Sequence, residues 1–161
     1  RPRSNRDYYR QRAQRYLDDI ERFVQQVEQS GRRAIVALVP EHGAAVRGDR
    51  MQISGLREIP TAAISLVPVG IALIGPGMPA PTAPLRIEAP ASFLALSQLL
   101  AQMTADSPFA GAPRPLQEYT ARLPQTAFVS ENENTVVMRV GTRYMMRTPD
   151  GSWSAYEGDA P

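Results

Sequence analysis

Apolar residues recur at three- and four-residue steps through Tyr9, Ala13, Tyr16, Leu17, Ile20, Phe23, Val24 and Val27. That spacing predicts a helix with one apolar stripe, and Asp18, Asp19, Glu21 and Gln25 fall largely on its other side. Gly31 supplies the left-handed residue that commonly closes a helix. Next comes Ala34-Ile35-Val36-Ala37-Leu38-Val39, an apolar run of strand length without alternation. Continuous apolarity predicts a strand covered on both faces, as in the centre of a parallel sheet. Helix, glycine and covered strand together read as half of a βαβ unit. Pro40 stops the run, and Glu41-His42-Gly43 follows directly. Open α/β sheets gather ligand groups just beyond the carboxyl ends of their strands, so the search for chemistry starts there.

Residues 44–60 read as irregular, with scattered charges, and Val67 to Ile74 reads as a second strand with Pro68 near its start. Proline and glycine dominate from Gly75 to Pro90, a loop of polyproline character. Helical spacing returns from Ser92 to Met103, and Leu116 to Leu123 predicts a short further helix. The tail then changes period. Ala127 to Val129, Thr135 to Val140, Arg143 to Arg147 and Ser152 to Tyr156 are strand-like. They are separated by Asn132-Glu133-Asn134, Gly141-Thr142 and Pro149-Asp150-Gly151, all turn chemistry, which predicts an antiparallel meander.

Composition narrows the picture. The 161 residues are 43% hydrophobic and 21% charged, values of a folding chain rather than a disordered one. A chain of this length buries roughly 70% of its unfolded surface, enough for a core without covalent staples. No run of about 18 apolar residues is present, so no membrane-spanning helix is expected. Cysteine is absent and every basic residue is arginine, which excludes disulfides, thiolates, Schiff-base lysines and the P-loop lysine from this stretch. The opening at Arg1, with neither an initiator methionine nor a signal peptide, reads as a piece of something longer.

Glu41 and His42 are the sharpest chemical feature. Carboxylate and imidazole are ordinary Zn²⁺ ligands, but a complete site takes about four. The other reading of a single histidine is a hydrogen-bonded structural residue. Arg57 is a second candidate, because a guanidinium fork matches phosphate oxygens bidentately; the alternative is an ion pair with Glu58. Tyr144, Trp153 and Tyr156 raise the option of a polysaccharide- or partner-binding module without catalysis. The arginines at 3, 6, 10, 12, 15 and 22 raise that of an anionic-surface or nucleic-acid binder. No aromatic or glycine spacing of a nucleic-acid module accompanies them, so no nucleic-acid partner is expected.

Val39-Pro40-Glu41-His42-Gly43-Ala44-Ala45, with Arg47-Gly48-Asp49 and Gln52-Ile53-Ser54-Gly55-Leu56-Arg57-Glu58-Ile59-Pro60, resembles the cellulose phosphoethanolamine transferases of bacterial cellulose secretion systems. These belong to the alkaline-phosphatase superfamily, in which an acidic residue and His-Gly end a sheet strand. Val67-Pro68-Val69 through Gly75-Pro76-Gly77 is similar to the strand that follows that pair. The resemblance implies an α/β fold: the C-terminal portion of an alkaline-phosphatase-like sandwich, a parallel-strand sheet with flanking helices ending in the short antiparallel meander. It makes residues 1–161 a single incomplete catalytic-domain fragment. Residues 1–103 form the α/β part with the Glu-His pair, 104–126 a loop and 127–161 the antiparallel tail.

The same resemblance implies Glu41 and His42 as two ligands of a catalytic zinc and Arg57 as the catalytic residue that holds phosphate oxygens. The chemistry implied is a two-step transfer. A serine or threonine takes phosphoethanolamine from phosphatidylethanolamine and passes it to a glucose 6-hydroxyl of cellulose. Implied partners are these two substrates and subunits of the cellulose synthase complex; the implied location is a periplasmic domain of an inner-membrane protein. The family's nucleophile and further ligands precede the Glu-His pair in sequence, so this stretch alone is expected to be inactive, to bind zinc weakly and to self-associate through uncovered apolar surface.

Overall fold

The computed structural model describes residues 4–48, 50–78, 83–112 and 114–158. In chain order the elements are α1 (Asn5–Gln29), β1 (Ala34–Leu38), α2 (Ala62–Ser65), β2 (Gly70–Ile74), α3 (Phe93–Ala105) and α4 (Leu116–Thr120), then β3 (Val129–Asn132), β4 (Thr135–Val140), β5 (Arg143–Arg147) and β6 (Trp153–Ala155). They fall into two compact units, Arg1–Ile20 with Leu38–Gly70 and Ala127–Pro161, and Glu21–Ala37 with Ile71–Thr126. No described helix is long and apolar enough to cross a membrane.

Helix α1 starts earlier than its apolar period because Ser4 and Asp7 cap it. The Asp7 amide donates to the Ser4 hydroxyl at 3.2 Å, and the Ser4 amide and hydroxyl donate to the Asp7 carboxylate at 3.0 and 2.7 Å. Those Ser4 bonds hold the Asp7 carboxyl below its usual range. Gly31, at φ +66°, closes the other end, and Gln14–Asp18 and Glu21–Gln25 side-chain pairs brace the outer face. The predicted stripe is there but is uncovered. No residue of α1 is buried; Tyr9, Tyr16, Leu17 and Phe23 are exposed, and Ile20, Val24 and Val27 are half-buried.

The second unit has a conventional core. Leu99 and Met103 of α3 and Tyr119 of α4 form its centre, with Ile35 of β1, Ile71 and Leu73 of β2, Leu116 and Leu123 packed against them. The Tyr119 hydroxyl donates to the Asp106 carbonyl at 2.9 Å, so the phenol is buried with its polar tip satisfied. Pro108 is fully buried beside Phe109, whose carbonyl accepts from Arg33 at 2.8 Å. The 75–90 stretch has no helix or strand among its described residues.

The covered parallel strand expected at 34–39 is not what forms. β1 pairs with β2 in a two-stranded sheet. Gly70 lies against Leu38, and Gly75 lies against Arg33, so the strands run in opposite directions. Ala34 to Val36 are half-buried and Ala37 and Leu38 exposed. The apolar run correctly marks a strand; it carries no information on pairing direction. The fold is thus mixed α/β, and both sheets are antiparallel.

The meander forms as its turns predict, in the order β3-β4-β5-β6. Glu133 and Asn134, at φ +48° and +68°, make a two-residue turn between paired Asn132 and Thr135. Gly141, at φ +61°, opens the next, between Val140 and Arg143. In the third, the Asp150 carboxylate accepts from the Thr148 and Ser152 hydroxyls at 2.5 and 2.8 Å and from the Ser152 amide at 3.0 Å. These bonds, the one from Thr148 foremost, lower the Asp150 pKa to about 2.

Register sorts the faces. Ser130, Val137, Met146 and Ser154 share one row, and the adjacent row of Glu131, Val136, Arg147 and Trp153 faces the other way. Val137 is fully buried and Met146 nearly so. Ser130 meets the Ser65 hydroxyl of α2 at 2.7 Å, which places α2 on the Val137 face.

Candidate functional site

Leu38 ends β1 and Val39-Pro40 leads to Glu41, His42 and Gly43. Gly43 docks this loop. Its amide donates to the Ile64 carbonyl of α2 at 2.6 Å. A Cβ there would overlap the Ala63 carbonyl oxygen and press on that of Ile64, so only glycine allows the approach. The constraint on Gly43 is its contact with α2.

The His42 ring is held on both nitrogens. Nδ1 lies 2.7 Å from the Gly43 carbonyl, and Nε2 lies 2.5 Å from Nη1 of Arg57. A carbonyl only accepts and a guanidinium only donates, which assigns the tautomer. Nδ1 carries the proton and donates to Gly43; Nε2 keeps its lone pair and accepts from Arg57. A neutral imidazole with its far nitrogen tied to a backbone carbonyl is the form in which histidine ligates a metal.

Arg57 sits in a stretch that lacks helix and strand yet is tightly built. Gln52, only 6% exposed, clamps Ile59: its amide nitrogen donates to the Ile59 carbonyl at 3.1 Å, and its oxygen accepts the Ile59 amide at 2.7 Å. The Gly48 and Gly55 amides both donate to the Ala45 carbonyl at 3.1 Å, and the Ser54 hydroxyl donates to the Val46 carbonyl at 2.7 Å. Gly48, at φ +65°, has no room for a Cβ beside Ser54 and Gln52. The Arg57 amide donates to Glu58 Oε2 at 3.1 Å, and its carbonyl accepts from Asn132 Nδ2 of β3 at 2.8 Å.

Of the three residues singled out from sequence, His42 and Arg57 are brought together. Arg57 turns its guanidinium to His42 while Glu58 takes the Arg57 backbone amide instead. Glu41 is exposed next to His42, and no hydrogen bond joins it to either among the described residues. No group of three or more His, Asp or Glu side chains able to hold a metal occurs among the described residues. By residue type Glu41 and His42 are zinc donors, and the His42 tautomer suits a ligand. Asn132 and Gln52 were not foreseen. Asn132 reads as a turn residue, and a polar residue in a loop has no period to betray a clamp.

The three aromatic residues of the alternative do not share one face. Tyr144 packs edge-on to Phe128, with ring centroids 5.6 Å apart, on the face opposite Trp153. Tyr156, three residues beyond Trp153, falls on the opposite side from it as well.

Two curated relatives match this chain. The cellulose biosynthesis protein BcsG of Escherichia coli (strain K12) is 43% identical over 148 residues, 92% of this chain and 26% of the relative. The protein of the same name from Salmonella typhimurium (strain LT2) is 42% identical over the same share. The chain spans about a quarter of the length of these relatives. The family described as the cellulose biosynthesis protein BcsG C-terminal domain matches residues 1–153. The chain belongs to the BcsG C-terminal domain family.

Proposed function

We propose that this chain supplies part of the catalytic site of a zinc-dependent phosphoethanolamine transferase of cellulose biosynthesis, the process named in both relatives. The donor is phosphatidylethanolamine, the acceptor is cellulose, and the setting is the periplasmic face of the inner membrane beside the cellulose synthase subunits. One observation carries the reading: His42, four residues beyond the end of β1, is set by the Gly43 carbonyl on Nδ1 and has the Arg57 guanidinium on Nε2.

His42 contributes the Nε2 lone pair, oriented by the Gly43 carbonyl. Glu41 contributes a carboxylate. Arg57 contributes a planar fork that takes phosphoryl oxygens in pairs and offsets the charge that accumulates during transfer. Zinc bound there supplies Lewis acidity toward the phosphoryl group. Two ligands of about four leave the site incomplete, so the chain by itself is inactive.

The test places His42→Ala, Glu41→Gln and Arg57→Ala in a full-length relative and measures transfer from phosphatidylethanolamine to cellulose. Each is expected to lower transfer by about 100-fold or more, the scale of losing an electrostatic stabiliser. Unimpaired transfer in the His42 variant would sink the reading, as would turnover by the isolated chain.

A further inference from the structure

Both nitrogens of His42 are engaged, and the partner on Nε2 is itself a cation. Nη1 of Arg57 lies 2.5 Å away. A guanidinium keeps its protons, so the Nε2 lone pair is taken up by an N–H donor. A metal ion requires that same lone pair. The Arg57 backbone is fixed by Glu58 on its amide and Asn132 on its carbonyl, and Gln52 clamps Ile59 two residues on. Only the side chain is left to move. Both residues are exposed, so withdrawal of the guanidinium opens no buried surface.

We propose that Arg57 is a latch on His42. Its guanidinium caps Nε2; a cation arriving there displaces it and frees the guanidinium fork for an anionic group beside the cation. This deepens the reading above and rests on His42 being a metal ligand. Two consequences follow from the shared lone pair. The latch weakens cation binding by direct competition. It also orders the site, because Arg57 offers its full set of donors to a phosphate only after the cation has taken its place on His42.

The experiment titrates Zn²⁺ alone into the native chain, Arg57→Ala, His42→Ala and Arg47→Ala by calorimetry, and records ring ¹⁵N signals of the metal-free proteins. The sequence has one histidine, so those signals belong to His42. Arg57→Ala is expected to bind zinc about tenfold more tightly than the native chain, the scale of losing one charge-assisted hydrogen bond. Its Nε2 signal shifts without metal. Arg47→Ala, which removes an arginine of the same loop, changes neither. Equal His42-dependent uptake by native and Arg57→Ala proteins, with an unmoved Nε2 signal, overturns the latch and leaves the metal reading standing. The same gain in Arg47→Ala also overturns it, as a general charge effect. Uptake that ignores His42→Ala removes both.

Discussion

The Asn132 side-chain amide donates to the Arg57 carbonyl at 2.8 Å, across 75 positions of sequence. This bond ties the first hairpin of the meander to the loop that presents the guanidinium. Asn132→Ala is expected to loosen Arg57 while leaving the sheet paired, because the β3–β4 ladder does not use that side chain. The readout is the ring ¹⁵N signal of His42, which should move toward that of Arg57→Ala. Sheet amide exchange should stay as in the native chain.

Gly43→Ala tests how the His42 loop is seated. The added methyl meets the carbonyl oxygens of Ala63 and Ile64. We expect a loss of about 1–3 kcal/mol in denaturant unfolding, the usual cost of overpacking. The Arg57–His42 contact should be lost with it. An Ala variant of native stability would mean that the loop and α2 are not held at this separation.

Gln52→Ala leaves the Ile59 amide without its partner, while the Ile59 carbonyl keeps the Thr61 amide at 2.8 Å. The expected loss is about 1 kcal/mol, the scale of one hydrogen bond lost from a half-buried amide. Gln52→Glu sets a carboxylate oxygen against the Ile59 carbonyl at a buried position, so at neutral pH it should be at least as destabilising as Ala.

Asp150 predicts the acid behaviour of the last hairpin. Its pKa is lowered from 3.8 to about 2 by bonds that the carboxylate accepts. A depressed folded pKa stabilises above the unfolded value, and that contribution disappears as pH falls through the folded one. Protection of the Ser152 amide should therefore persist on acidification to 3.8 and decline between there and about 2. Asp150→Asn should abolish that pH dependence.

The meander was legible because each turn is spelled by residues that tolerate positive φ or pre-set a bend: Asn134, Gly141, Pro149 and Gly151. The helices were legible by period, and Ser4 with Asp7 moved the α1 boundary by capping alone. Pairing was not. Val36 beside Ala37 signals an apolar strand, and the choice between parallel and antiparallel neighbours lies in the residues around Gly70 and Gly75, far along the chain. At the site, residue types could point to His42 and Arg57 only singly. Their contact depends on a 44–60 fold set by Gln52, Gly48 and Ser54, whose bonds run to backbone atoms and leave no pattern.

The uncovered apolar stripe of α1 has a practical corollary. Arg6, Arg10, Arg12, Arg15 and Arg22 all lie on this helix and are exposed, so trypsin cuts there whenever the helix opens locally. Digestion rate at those peptide bonds is then a gauge of docking: whatever shelters Tyr16 and Phe23 must also slow the protease.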